Sequence, residues 1–208
     1  SIFKRILSYL PSLGRGLGVG LLLLALPISA QSPKSLKQVK KAVYTLQTYD
    51  AEGNVLSTGN GFFANEAGDF ITSYALLPNC AKAVVVDSKG KTHDVVKVLG
   101  ANETYDIVRL QTAPIKKLVS TPIDTTSTME HTSLFLPAIG KEKKVYDTWI
   151  PVLSTEQAAG NYNYYTLHHA GSPTLSHRPL LDDTGTVVAI VQPSVETDTV
   201  LYALDIRY

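Results

Sequence analysis

The stretch that decides the fold is GNGFFANEAGDFITSYALL, residues 59–77. It lies across two predicted strands, 55–64 and 69–74, which are rich in strand-forming residues. The polar segment between them contains Asn65 and Gly68, residue types that favour tight turns. The stretch is therefore a predicted β-hairpin.

Short strands separated by turns continue in both directions from this hairpin. Segment 42–49 alternates apolar and polar residues, as a half-buried strand does. Helical turns are predicted only near residues 76–81 and 154–159. Many short strands at this spacing predict an all-β sandwich or barrel. The other predicted strands are 83–87, 92–98, 106–111, 133–137, 144–153, 162–168, 186–192 and 200–206.

Residues 113–122 are a predicted linker near the midpoint of the chain. Pro114 stands near its start and Pro122 at its end. Proline at both ends favours an extended connection over a paired strand. The linker would divide the chain into two halves of similar size.

Three blocks of the sequence resemble trypsin-like serine peptidases of the HtrA (Deg) type. Residues 59–77 are similar, without a gap, to the family's G-S-G-F hairpin and its T-N-x-H-V-V segment. YDIVRL at 105–110 resembles the family's D-[LI]-A-L-L strand. SPTLSHRPLL at 172–181 resembles the N-P-G-N-S-G-G-P-L-L nucleophile loop. Segments 182–190 and 201–206 resemble the hairpin and closing strand that follow that loop.

This resemblance implies a definite architecture for the all-β chain. A peptidase-fold domain over 31–208 would contain two antiparallel six-stranded β-barrels with a cleft between them. The first barrel would cover about 40–113 and the second about 123–208.

The resemblance also assigns three catalytic positions. It places the nucleophile on Ser176, the orienting carboxylate on Asp106 and the general base on Ala75. An imidazole makes a serine hydroxyl nucleophilic at neutral pH, and alanine offers none. Loss of a triad member lowers catalysis on the order of 10⁴–10⁶-fold. The alternatives are that Asp106 caps a turn and that Ser176 is an ordinary loop serine.

The nucleophile loop departs from the family pattern as well. The resemblance places the backbone N–H groups of the oxyanion hole on Thr174 and Ser176. Thr174 replaces a family glycine, and so do His177 and Arg178. Glycine permits backbone angles that other residues adopt only at a cost. We therefore expect this loop to differ in conformation from that of an active peptidase.

Other histidines are poor substitutes for the missing base. His177 adjoins Ser176, but adjacent side chains on a loop generally point apart. Two histidines further upstream lie where the family's specificity pocket has a wall. The candidate wall residues are His168, His169 and Ala170.

The first 30 residues have the order of a secretory signal peptide. Three basic residues precede an uncharged run over 16–33, which centres on four leucines and is broken by Pro27. The strongly apolar part is shorter than the roughly 20 residues that span a bilayer. We expect export with cleavage after Ala30, to the bacterial periplasm or the medium. The alternative is a signal anchor, with residues 16–30 as an inner-membrane tether.

Composition excludes several other classes of function. With 19 Lys and Arg against 18 Asp and Glu, the chain lacks the basic character of nucleic-acid-binding proteins. The sequence shows neither zinc-type Cys/His spacing nor a phosphate-binding glycine loop. Its single cysteine, Cys80, excludes an internal disulfide framework. We expect no metal and no cofactor.

These observations predict an exported pseudo-peptidase that binds peptides, or unfolded or partner proteins, in the remnant cleft. An extended peptide would add there as an extra strand. Two alternatives remain open: an active serine endopeptidase with a non-standard general base, and an envelope adaptor module. The sequence leaves the oligomeric state open.

Overall fold

The computed structural model of the protein describes residues 36–123, 125, 130–139 and 147–206. The predicted signal peptide, residues 1–30, lies outside these ranges, and so does the alternative anchor over 16–30. Within the described ranges, no helix has the length and apolar character needed to cross a membrane.

The first half of the chain closes into a six-stranded barrel. All its strand pairs are antiparallel, in the order β1-β2-β3-β6-β5-β4. The predicted hairpin is β2–β3, in which Gly61 lies opposite Thr72 and Phe63 opposite Phe70. The strands are β1 (Val43–Tyr49), β2 (Val55–Phe63), β3 (Asp69–Thr72), β4 (Lys82–Val86), β5 (Thr92–Asn102) and β6 (Ile107–Thr112).

The second half closes into another antiparallel barrel of six strands, in the order β10-β11-β12-β9-β8-β7. Two such barrels fit a trypsin-like double-barrel fold, so the predicted all-β architecture is confirmed. The strands are β7 (Ser133–Leu136), β8 (Thr148–Gln157), β9 (Asn163–Leu167), β10 (Pro179–Leu181), β11 (Val187–Val191) and β12 (Leu201–Asp205).

The structure differs from the sequence predictions in its helical segments. A short helix, α1 (Leu36–Ala42), precedes β1, where no helix was predicted. The helical turn predicted near 154–159 is wrong over most of its length, because β8 continues to Gln157. A 3₁₀ turn follows at Ala159–Asn161, and another occupies Tyr74–Leu76.

Each barrel has its own apolar core, and a third cluster joins the two. Phe62 of β2 and Phe135 of β7 are both buried in this joining cluster, beside Leu181 and Ile190 of the second barrel. The end of β2 therefore packs on the second barrel. This packing fixes the two walls of the cleft relative to each other.

Candidate functional site

A cleft of about 620 Å³ between the barrels contains all three predicted triad positions. Ala75 and Asp106 line it from the first barrel, and Ser176 lines it from the second. Thr174 and His177 of the nucleophile loop line it as well. Predicted triad positions that are up to 101 residues apart in the sequence thus share one cavity.

The carboxylate of Asp106 is bound by the segment that carries Ala75, the predicted base position. The Ser73 hydroxyl donates to it, at 2.8 Å from each oxygen, and the backbone N–H of Ala75 donates at 2.7 Å. Asp106 has a φ of 52°, in the left-handed region that Asp tolerates better than most residues. Position 75 contributes a backbone donor to this carboxylate, and its side chain offers only a methyl group.

The hydroxyl of Ser176 is turned towards its own barrel. It accepts a hydrogen bond from the backbone N–H of Ser194 at 3.2 Å. Among the described residues, which include all five histidines, no imidazole is hydrogen-bonded to this hydroxyl. Proton removal from a serine needs a base within hydrogen-bonding reach.

An imidazole does reach Asp106, but it comes from the opposite barrel. The Nε2 atom of His177 lies 2.7 Å from the backbone carbonyl oxygen of Asp106 and 3.5 Å from its carboxylate Oδ2. His177 is only 3% exposed. Burial lowers the pKa of this imidazole, while the Asp106 carbonyl and the Asp106 charge act in the opposite direction. His177 therefore points to Asp106 while the Ser176 hydroxyl bonds to Ser194, a contact that sequence reasoning missed.

The two backbone donors at the oxyanion-hole positions both have acceptors inside their own loop. The N–H of Thr174 donates to the Ser172 hydroxyl at 3.4 Å, and the N–H of Ser176 donates to the Pro173 carbonyl at 3.3 Å. These bonds belong to a 3₁₀ turn over Pro173–Leu175. A substrate oxyanion would have to replace both acceptors before these groups stabilised it.

The carbonyl groups of this loop are held from both barrels. The Asn60 side-chain amide of β2 donates to the carbonyls of Thr174, at 2.8 Å, and Ser176, at 3.1 Å. Arg178 is 2% exposed; its Nε donates to the Thr174 carbonyl at 3.1 Å and one terminal nitrogen to Pro137 at 3.4 Å. Asn60 is a second site residue that sequence reasoning missed, because its partners lie 114 and 116 residues further along the chain.

The three candidate wall residues lie at the end of β9. His168, His169 and Ala170 directly follow β9, and none of them is among the lining residues. A ring nitrogen of His169 lies 2.7 Å from the carbonyl oxygen of Ala170. Their role as a pocket wall stays a prediction.

A scan against family models finds no match to this chain, and a search of curated proteins finds no relative. Within the described part of the chain, no three potential metal-binding side chains form a group.

Proposed function

We propose that this chain is an HtrA-type member of the trypsin-like fold that has lost acyl transfer and binds extended peptides or unfolded segments in its cleft. One observation carries the proposal: among the described residues, no imidazole is hydrogen-bonded to the Ser176 hydroxyl, and the Asp106 carboxylate is bound by Ser73 and by the backbone of residue 75. Serine and aspartate stand at the nucleophile and carboxylate positions, but position 75 supplies no imidazole that could accept the serine proton while the carboxylate orients it.

The loop geometry supports the same conclusion independently. An active peptidase needs preorganised donors aimed at the developing oxyanion. Here the donors of Thr174 and Ser176 already have acceptors within the loop. Restoring the base alone would therefore leave the oxyanion unstabilised.

The part of β2 that is not paired with β3 supports peptide binding. In the described residues, β3 pairs with β2 only over the last part of that strand, from Gly61 to Phe63. The preceding residues Thr58, Gly59 and Asn60 line the cleft. An open strand edge offers backbone donors and acceptors to an extended peptide, largely independently of its sequence.

Export to the bacterial envelope is part of the proposal. Its support is the charged-apolar-small order of residues 1–30. The envelope adaptor remains a second candidate, distinguished by a folded partner that co-purifies with the chain and does not compete with unfolded protein.

Labelling with a fluorophosphonate probe tests the loss of acyl transfer. The probe phosphonylates a serine only when a base and an oxyanion site activate it. We expect no labelling of the wild-type protein at neutral pH, measured by intact mass. Labelling that disappears in Ser176→Ala would instead support the active endopeptidase with a non-standard base.

The Ala75→His variant distinguishes loss of the general base from loss of the oxyanion-hole donors. We expect it to remain unlabelled, because the loop donors stay engaged and the Asp106 carboxylate is already bound by Ser73 and by the backbone of residue 75. Labelling in this variant would mean that the base was the single defect.

A further inference from the structure

We infer that the cleft holds an extended chain by its backbone, because the second barrel is closed beside Ser176 and takes no ligand side chain there. The inference rests on the proposed function, since it names the class of ligand: unfolded segments whatever their sequence. The closed wall itself is a property of the fold and is measurable without a peptide.

Two chain segments of the second barrel adjoin the nucleophile loop, and they are in direct contact with each other. One follows β9 and ends at Gly171, and the other joins β11 to β12. The backbone N–H of Gly171 donates to the Asp198 carbonyl at 2.9 Å. A Cβ on Gly171 would lie 2.3 Å from the Val195 carbonyl oxygen and 2.4 Å from the Ser194 hydroxyl. A gap that does not admit one methyl group does not admit the side chain of a ligand.

A carboxylate closes the connection between β11 and β12 into a turn. The Oδ2 atom of Asp198 accepts from the Ser194 hydroxyl at 3.2 Å and from the Val195 N–H at 2.9 Å. The backbone N–H of Asp198 donates in turn to the Val195 carbonyl at 3.0 Å. These bonds hold Ser194 and Val195 in the place where they meet Gly171.

The same turn binds the hydroxyl of Ser176. The Ser194 N–H donates to this hydroxyl at 3.2 Å, and Ser194 is 8% exposed. The next residue of the nucleophile loop is tied to β11, because the His177 N–H donates to the Val191 carbonyl at 2.8 Å. Ser176 therefore packs against the closed turn.

The lining of the cleft agrees with a closed wall. Among the described residues 168–171 and 194–198, none lines the cleft. The second barrel lines it with Pro173, Thr174, Ser176, His177, Arg178 and Pro193.

The first barrel offers the cleft a different kind of contact. Residues 58–60 of β2 line it, and they lie before the part of β2 that pairs with β3. In strand addition, main-chain hydrogen bonds provide affinity and pockets for side chains provide specificity. With the wall beside Ser176 closed, the main-chain contribution remains.

Peptide binding to the full chain tests the inference. The probe is a labelled peptide of alternating threonine and alanine, in which one guest position carries alanine, leucine, phenylalanine, lysine or glutamate. We expect the guest to change the affinity by less than about threefold at every position, because no pocket buries it. Methylation of the backbone nitrogens along one edge of the peptide removes main-chain donors and should weaken binding by about tenfold or more.

Two results of this experiment would overturn the inference. One is a guest that binds about tenfold tighter than alanine at one position, since burial of a large side chain in a pocket has an effect of that size. The other is an affinity that methylation of either edge leaves unchanged.

The Asp198→Ala variant tests how the wall is closed. Without the carboxylate, the turn loses two hydrogen bonds, and the amides of Gly171 and Ser194 should exchange hydrogen severalfold faster. The control Asp182→Ala removes a carboxylate that caps the turn between β10 and β11, and these two amides should then keep the wild-type rate. Unchanged exchange in Asp198→Ala would argue against this closure.

Small analogues of side chains keep the inference testable if the peptide does not bind. Indole, isobutanol and benzamidine are added at millimolar concentration to the isotope-labelled wild-type protein, and its amide signals are followed by NMR. We expect no saturable shift at Gly171, Ser194 or Val195. A saturable shift there would show an open pocket and overturn the inference. A peptide that does not bind contradicts the proposed function, and the amide shifts still decide whether the wall is closed.

Discussion

The side chain and the backbone of residue 75 differ in what they offer to Asp106. The methyl group of Ala75 offers no proton acceptor, while its backbone N–H still binds the Asp106 carboxylate at 2.7 Å. The carboxylate thus remains ordered without a catalytic imidazole, through Ser73 and the backbone of residue 75. These bonds give Asp106 a structural role in the first barrel.

Two glycines in the first barrel differ in the space that surrounds them. A Cβ at Gly61 would lie 2.3 Å from a ring atom of Phe70 and 2.6 Å from the Ile71 carbonyl oxygen, whereas one at Gly100 would meet nothing within 4 Å. We expect Gly61→Ala to lower the free energy of unfolding by about 1–3 kcal/mol through overpacking. Gly100→Ala should change it by less than about 0.5 kcal/mol. Urea denaturation of both variants measures the difference, and equal effects would contradict this packing.

Local patterns predicted most of the strands, since the turn residues that end them are readable along the chain. The β2–β3 hairpin follows directly from Asn65 and Gly68. Helix α1 was missed because its seven residues are too few to be stable alone, and its stability comes from tertiary contacts. Val39 is buried in the cluster between the barrels, and Lys40 pairs with Asp147 across 107 residues of sequence.

The site was predictable to a smaller extent. The resemblance predicted triad positions at Ala75, Asp106 and Ser176, and the structure places these three residues in one cleft. It did not identify the partners of the nucleophile loop, because those depend on the approach of the two barrels. Asn60 and His177 bond to groups 114 and 71 residues away, and no local pattern encodes such contacts.

Helix α1 is held by an ion pair between Lys40 and Asp147. The Lys40 ammonium lies 2.7 Å from Asp147, with side chains 31% and 20% exposed, whereas the Lys82–Asp94 pair is 3.3 Å long and more than half exposed. We expect Lys40→Ala to lower the free energy of unfolding by about 1 kcal/mol at low salt and by less at high salt. Lys82→Ala should stay within about 0.5 kcal/mol of wild type. Thermal unfolding at low and high salt compares the two, and a larger loss in Lys82→Ala would argue against this docking.

The barrels are joined by a shared apolar cluster, so the molecule should unfold as one unit. Phe62 of the first barrel is fully buried in the cluster that contains Phe135, on which Trp149 packs edge-on at 5.3 Å between ring centroids. The chain has one tryptophan, so its fluorescence reports on the second barrel. A change at Phe62 should therefore alter a signal that arises in the other barrel.

Phe62→Ala tests this coupling. We expect the free energy of unfolding to fall by about 3–5 kcal/mol, the usual cost of truncating a buried phenylalanine. The Trp149 fluorescence transition and the far-ultraviolet circular dichroism transition should shift together. Leu56→Ala, at a 42% exposed position of the same strand, is the control and should have little effect. A Trp149 transition that stays in place while the circular dichroism shifts would show two independent barrels.

The central claim, binding without cleavage, is tested most directly by fluorescence anisotropy of a labelled unfolded protein such as reduced, carboxymethylated lactalbumin. We predict that the anisotropy rises saturably when wild-type protein is added and then stays constant for hours. The Ser176→Ala variant should give the same rise. A rise followed by a decay in wild type but not in Ser176→Ala would show cleavage by Ser176. The absence of any rise would show that the cleft does not bind unfolded chains, and either result would contradict the account.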